Sequence, residues 1–142
     1  MNTKAGSEHG EALEKRLGIA FANGDLLSQA LTHPSAVNED PQAFSSSNQR
    51  LEFLGDAFID FVVAQELYRR LPEMPEGELT ELRSAVVRRE TLAGGARRIS
   101  LGSFLHLGQG EEWNGGRERD SNLSAAVEAV LGAILLDKGV QS

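Results

Sequence analysis

The stretch RLEFLGDAFIDFVV, residues 50–63, limits what this chain can fold into more than any other part of it. Leu51, Phe53, Leu54, Phe58, Ile59, Phe61, Val62 and Val63 suit a buried helix, yet Glu52, Asp56 and Asp60 stand among them. At 100° per residue, Gln49, Glu52, Asp56 and Asp60 share one arc about 80° wide, and apolar residues cover most of the remaining circumference. A helix apolar nearly all round is normally buried. Burying an unpaired carboxylate is costly, and like charges four residues apart repel. Three arrangements relieve the conflict. The arc faces water, or arginines such as Arg83, Arg88 or Arg89 pair with the acids, or a hard cation sits between them. Carboxylates at i and i+4 point at a common spot, as ligation of Mg²⁺ or Mn²⁺ requires.

Around this segment the chain reads as helices with short connections. Residues 1–8 are polar and expected to fray, and a short helix follows from Gly10 to Leu17. Asn23-Gly24 opens a second helix, DLLSQALTH, which Pro34 stops. Residues 38–48, NEDPQAFSSSN, have loop chemistry and end in Ser46, Ser47 and Asn48, any of which suits the N-cap of the long helix from Gln49 to Leu71. Pro72 ends that helix, and two more follow from Glu76 to Val87 and from Glu90 to Ile99. A glycine-rich charged loop runs from Gly108 to Asp120, then a last helix from Ser121, as N-cap, to Asp137, with Lys138-Gly139 as its stop. No segment alternates with period two for long enough to be a strand. The expected fold class is all-α, one domain over residues 1–142, without repeats or linkers.

Composition narrows the function. The chain has no cysteine, which excludes disulfides and thiolate metal sites, and its three scattered histidines argue against zinc. No apolar run reaches the roughly 18 residues of a membrane span, and MNTKAGSEHGEAL lacks the basic-then-apolar order of a signal peptide, so the reading is cytoplasmic with no membrane partner. The formal charge of −7 argues against a nucleic-acid binder, unless many of the acids are gathered at a metal site, where a divalent ion inverts the local sign.

The last helix bears on that site. Ala125, Ala126, Ala129, Gly132 and Ala133 are small and permit another backbone to come close, and Glu128 is the acid of the helix interior. If the small face packs on the long helix, Glu128 joins Glu52 and Asp56 in a three-carboxylate cluster; otherwise Glu128 belongs to an exposed polar face.

NQRLEFLGDAFIDFVV resembles the signature helix of the ribonuclease III endonuclease domain, and LLSQALTHPS, EGELTELRSAVVRRETLA, LGQGEEWNGGRERDSNL and EAVLGAILLDKG follow in that family's order and spacing. The resemblance implies a homodimeric helical domain that hydrolyses phosphodiester bonds of double-stranded RNA with Mg²⁺, or Mn²⁺ as a substitute. It implies that Glu52 and Glu128 are metal ligands, that Asp56 and Glu128 are catalytic, and that Phe53 inserts into the partner subunit. It also implies that a C-terminal double-stranded-RNA-binding domain is absent from this chain, which stops at Ser142.

Two positions depart from the family pattern. Gln49 stands where the family often has Glu, and Ala125 where it usually has Asp, so one carboxylate near the ion is missing, and neither Asn122 nor Ser124 lies on the right face to replace it. A catalytically weakened RNA-binding or ribonucleoprotein-binding relative is therefore an alternative. A helical nucleotide pyrophosphohydrolase is a third reading, against which RLEFLGD argues. His33 is expected to cap or pack, GQGEEWNGGRER lacks the Gly-Lys-Ser/Thr of a phosphate loop, and Arg117 and Arg119 are expected in a solvated loop rather than on RNA. Arg69-Arg70 and Arg97-Arg98 read as helix-end charges.

Overall fold

The computed structural model describes residues 4–140, and all the regular structure among them is helical apart from one parallel bridge between Thr32 and His106. Eight α-helices follow one another: α1 (Lys4–Leu17), α2 (Gly24–Ala30), α3 (Pro34–Glu39), α4 (Gln49–Arg70), α5 (Glu76–Val87), α6 (Arg89–Arg98), α7 (Gln109–Trp113) and α8 (Asp120–Lys138), with 3-10 turns at Leu101–Phe104 and Gly116–Glu118. The expectation of an all-α fold is met.

Helix α8 is the axis of the fold. It packs along α4 over the longest stretch, and against α6 and α2 on its other sides. Leu123, Ala126, Ala129, Val130, Ala133 and Ile134 of α8 are buried with Leu13, Leu27, Leu31, Ala93, Ala96 and Leu101 from the surrounding elements. Such burial of aliphatic side chains is the main favourable term in folding.

The α4–α8 contact is unusually close because both helices present glycine there. A methyl group built on Gly55 would land on the Glu128 carbonyl oxygen, and one on Gly132 would strike the Leu51 carbonyl oxygen. The small face expected on the last helix does pack on the long helix, and Gly55 is its counterpart on α4.

Helix α4 departs from the expectation of burial on nearly every side. Only Leu51 and Gly55 are buried along its 22 residues, whereas Phe53 is 81% exposed, Phe61 52% and Tyr68 76%. Neighbouring elements cover α4 on the sides facing α8 and α5, and among the described residues much of the rest stays exposed.

The ends of elements show what holds α4 in place. Asn48 occupies the N-cap position, but its side chain turns away from the helix. It is buried and donates to Ala30 O (3.2 Å), while its backbone N–H donates to Thr32 O (2.8 Å). The Gln49 N–H instead reaches Ser47 Oγ at 3.3 Å. His33 meets its expected role as a cap: its side chain accepts from the Ser35 N–H.

Four expectations fail at this level. α2 ends at Ala30, before Pro34 is reached, and Pro34 instead starts α3, since proline fits the first helical turn, which lacks hydrogen-bonded N–H groups anyway. α1 begins at Lys4 rather than at the expected Gly10, while residues 1–3 lie outside the described residues. α8 begins at Asp120, one residue before the expected cap Ser121, and Arg119 holds its N-cap position without a side-chain bond. Finally, residues 108–120 are not a solvated loop. Arg117 donates to Gly102 O (2.9 Å) and Leu105 O (2.7 Å) and pairs with Glu112 (2.6 Å), and Arg119 pairs with Glu111 (2.5 Å) and donates to Asn114 O (2.9 Å). Both arginines serve the fold. Arg97 likewise pairs with Asp120 and donates to Glu118 O (2.8 Å), besides ending its helix.

At the far end of α8, the Asp137 carboxylate accepts the N–H groups of Ala22 and Asn23, each at 2.9 Å, tying the start of α2 to the C-terminal end of α8. Those two bonds, with Lys138 adding a smaller effect, hold the Asp137 carboxyl below its ordinary value of 3.8. A carboxyl depressed by folding adds stability above its unfolded value and loses it as pH falls through the folded one. Asp137→Asn is expected to lower the melting temperature by a few degrees at pH 7, with the gap to the parent narrowing below pH 4, as thermal melts across pH will show.

Candidate active site

Glu52, Asp56 and Glu128 reach one place because of the α4–α8 contact. Glu52 and Asp56 lie one turn apart on α4, and Glu128 faces them from α8, where Gly55 lets the two backbones touch. Together with Gln49 and Phe53 they line an open cavity of about 450 Å³. The structure thus brings together every residue the sequence singled out for this site. Asp60 sits one turn further along α4 and acts on Glu128 through its charge.

The charges in the cavity are uncompensated. Among the described residues, no lysine or arginine forms an ion pair with Glu52, Asp56 or Glu128. Arg88, one of the arginines considered as a partner, approaches Glu90 at 3.9 Å instead. Two of these carboxyls, Glu128 and Glu52, are pushed up. Removal from water, followed by a hydrogen bond and charge repulsion from Asp56 and then the charges of Glu52 and Asp60, pushes the Glu128 carboxyl from 4.5 up to about 8. Glu52 is raised too, by removal from water and by Asp56. At neutral pH a proton on Glu128 thus bridges it to Asp56, standing where a cation would relieve the same repulsion.

The donor set fits a hard divalent ion, since it offers carboxylate oxygens and no imidazole or sulfur. Among the described residues no three His, Asp or Glu side chains are already drawn in tightly enough to hold an ion. The carboxylates share a cavity without forming a closed cage, as suits an ion that keeps positions open for water and phosphate.

Ala125 lies one turn before Glu128 on α8 and is only half-buried. The two polar residues nearest to it in sequence are engaged elsewhere. Asn122 bonds the His33 ring (3.1 Å), Glu111 (2.9 Å) and Gly116 O (3.0 Å), and Ser124 Oγ donates to Ser121 O at 3.2 Å. Sequence reasoning placed Asn122 off the site correctly but missed that it anchors residues 108–120 to α8. A lone asparagine at a helix start carries no signal of a partner eleven residues upstream.

A family model described as Ribonuclease-III-like matches residues 23–142. Ribonuclease 3 of Heliobacterium modesticaldum is 50% identical over 139 residues, covering 98% of this chain and 59% of the relative. Ribonuclease 3 of Dehalococcoides mccartyi (strain ATCC BAA-2266 / KCTC 15142 / 195) is 52% identical over 130 residues, covering 92% of this chain and 55% of the relative. The chain thus spans a little over half the length of these relatives. Among solved structures, the nuclease domain of ribonuclease III from Campylobacter jejuni superposes with a TM-score of 0.86 at 42% identity, covering 92% of this chain and 87% of that one; it is reported for structural flexibility in the region involved in dimer formation.

Proposed function

The chain belongs to the ribonuclease-III-like family, and on that footing we propose that it is a metal-dependent endoribonuclease that hydrolyses phosphodiester bonds of double-stranded RNA. The observation that carries the reading is the single cavity lined by Glu52, Asp56 and Glu128 with no basic partner among the described residues. Glu52 and Glu128 would hold Mg²⁺, with Mn²⁺ as substitute. The ion supplies an activated water and offsets charge developing on the phosphate. Glu128, once deprotonated, would be a ligand to the ion, and Asp56 would order the attacking water as a hydrogen-bond acceptor. No side chain needs to act as a nucleophile.

The net charge of −7 does not oppose an RNA substrate, because the charge is segregated. Residues 83–98 hold five arginines against one glutamate, and Arg88, Arg89 and Arg98 there are exposed to meet a phosphate backbone. The exposed Phe53, Phe61 and Val62 fit a two-fold dimer that buries Phe53 and sets two cavities along one valley, each cutting one strand. A cytoplasmic role in processing structured precursors such as ribosomal RNA follows from such an activity. Among the described residues no helix is long and apolar enough to cross a membrane.

The test is direct: the protein is incubated with a long RNA duplex, the matching single strand and free nucleotides, each with Mg²⁺, Mn²⁺ or EDTA, while sedimentation reports its assembly. Cleavage of the duplex alone, dependent on metal, by a dimer is expected. Hydrolysis of nucleotides, or a monomer at micromolar concentration, contradicts the reading.

Ala125 and Gln49 favour a second reading, a weakened relative that binds duplex RNA and cuts it poorly. Aspartate at 125 would add a hard oxygen and a charge on the face of α8 that carries Glu128. Ala125→Asp is therefore expected to tighten Mg²⁺ binding about tenfold and to speed cleavage at low Mg²⁺. Mg²⁺ titrations of binding and of cleavage check this, with a melting curve as control. A folded variant with unchanged metal dependence means that the alanine limits nothing.

A further inference from the structure

The cavity has four polar lining residues, and three of them are carboxylates. Ionised carboxylates only accept hydrogen bonds, and so do phosphodiester oxygens; the side-chain amide of glutamine donates two. Gln49 is therefore the one cavity-lining side chain, among the described residues, with a permanent donor to offer a phosphate. We propose that the Gln49 amide donates to a phosphodiester oxygen of bound RNA and seats the backbone over the carboxylates, a contact that rests on the endoribonuclease reading.

The placement supports it. Gln49 is the first residue of α4, three positions before Glu52 and seven before Asp56, so its side chain leaves the helix on the acidic arc. Its backbone is fixed: Ser47 Oγ receives its N–H, and the preceding Asn48 is buried and bonded to Ala30 and Thr32. Its side chain is exposed and makes no hydrogen bond among the described residues. A held backbone with a free amide is a prepared donor. The Asn48 side chain makes no capping bond to the start of α4, so apart from the Gln49 N–H, which Ser47 receives, the N–H groups of that first turn keep a partial positive charge beside the same cavity. Arg50, the nearest cation in sequence, leaves the helix 100° away and does not line the cavity.

The chemistry explains a pairing of substitutions. A glutamate at position 49 would make the cavity all-acceptor and leave the phosphate held by cation alone. Glutamine gives up a charge and supplies a donor, so that at a site also lacking a carboxylate at 125, part of the grip on the phosphate moves from the ion to the protein.

Three variants test this in the full chain: Gln49→Met keeps length without a donor, Gln49→Lys keeps a donor, and Gln49→Glu replaces it with an acceptor. Steady-state duplex cleavage in Mg²⁺ and in Mn²⁺ gives KM and kcat for each, and melting curves confirm folding at this exposed position. Methionine is expected to raise KM about 5- to 10-fold with kcat within about twofold, lysine to keep KM below that of the methionine variant, and glutamate to raise KM more than methionine. Methionine matching the parent, glutamate lowering KM, or kcat falling while KM holds overturns the proposal. A parent protein that cuts no duplex brings down the endoribonuclease reading itself; a parent that cuts while Gln49→Met is unchanged removes only the role of Gln49.

Discussion

Glu128→Gln is expected to reduce duplex cleavage at least about 100-fold and yet to leave the metal-free protein more stable than the parent at pH 8 and above. The two effects share one cause. Folding raises the Glu128 carboxyl to about 8, first by removing it from water and then through Asp56, Glu52 and Asp60. In the unfolded chain it ionises near 4.5. Between those values the folded state binds the extra proton, so this group's contribution to stability is full below pH 4.5 and falls as pH rises to about 8. Glutamine keeps the shape and a hydrogen-bond donor toward Asp56 but never ionises. Its advantage in melting temperature should therefore be small at pH 5, reach a few degrees at pH 9, and vanish or reverse when Mg²⁺ is added. Melting curves at three pH values, with and without Mg²⁺, beside a duplex cleavage assay, measure both halves. An active variant, or one destabilised equally at all pH values, contradicts the role given to Glu128.

Gly55→Ala carries the largest structural effect. Its methyl would occupy the position of the Glu128 carbonyl oxygen, and backbone cannot step aside as a flexible side chain does. α4 and α8 must separate, which opens the core along α8 and carries Glu52 and Asp56 away from Glu128. A loss on the order of 3 kcal/mol or more is expected, with metal binding lost in whatever fraction still folds. Gly94→Ala and Gly95→Ala serve as controls. Nothing lies within 4 Å of a methyl at either position of α6, so each should raise stability by about 0.5–1 kcal/mol through helix propensity. Thermal or denaturant unfolding of the three variants decides the matter, and a Gly55→Ala protein as stable as the parent would refute the close contact.

Much of the architecture is legible in residue order because its signals are local. Pro72 and Pro75 bracket a turn, and the stripe of Leu79, Leu82, Val86 and Val87 marks α5, which spans Glu76–Val87 as expected. Gly139, with φ of +86°, ends α8 where Lys138-Gly139 announced a stop. The elements that were missed depend on distant partners or on residues with two meanings. Pro34 reads equally as the end of one helix and the start of another. In residues 108–120 the glycines suggest mobility, while order comes from carbonyls of Gly102 and Leu105 that no local pattern connects to Arg117.

The site was readable for a different reason. Acids at i and i+4 inside an apolar helix make a conflict that needs a physical resolution, and small residues around Glu128 mark where a second backbone fits. Periodicity alone could not say which sides of α4 would stay uncovered; the family resemblance is what points to Phe53 as a residue meeting a partner subunit. An apolar stripe looks the same whether it faces a core or the surface of another subunit, and only the arrangement of the neighbouring helices leaves Phe53 at 81% exposure.

The central claim is that a divalent ion replaces the proton held between Glu128 and Asp56, and counting that proton tests it most directly. Mn²⁺ is titrated calorimetrically into the protein at pH 7 in two buffers of different ionisation heat. A carboxyl raised to about 8 is mostly protonated at pH 7, so each bound ion should release most of a proton from Glu128, and Glu128→Gln should release distinctly less. Ion binding without proton release, or the same release from the Gln variant, would contradict the account.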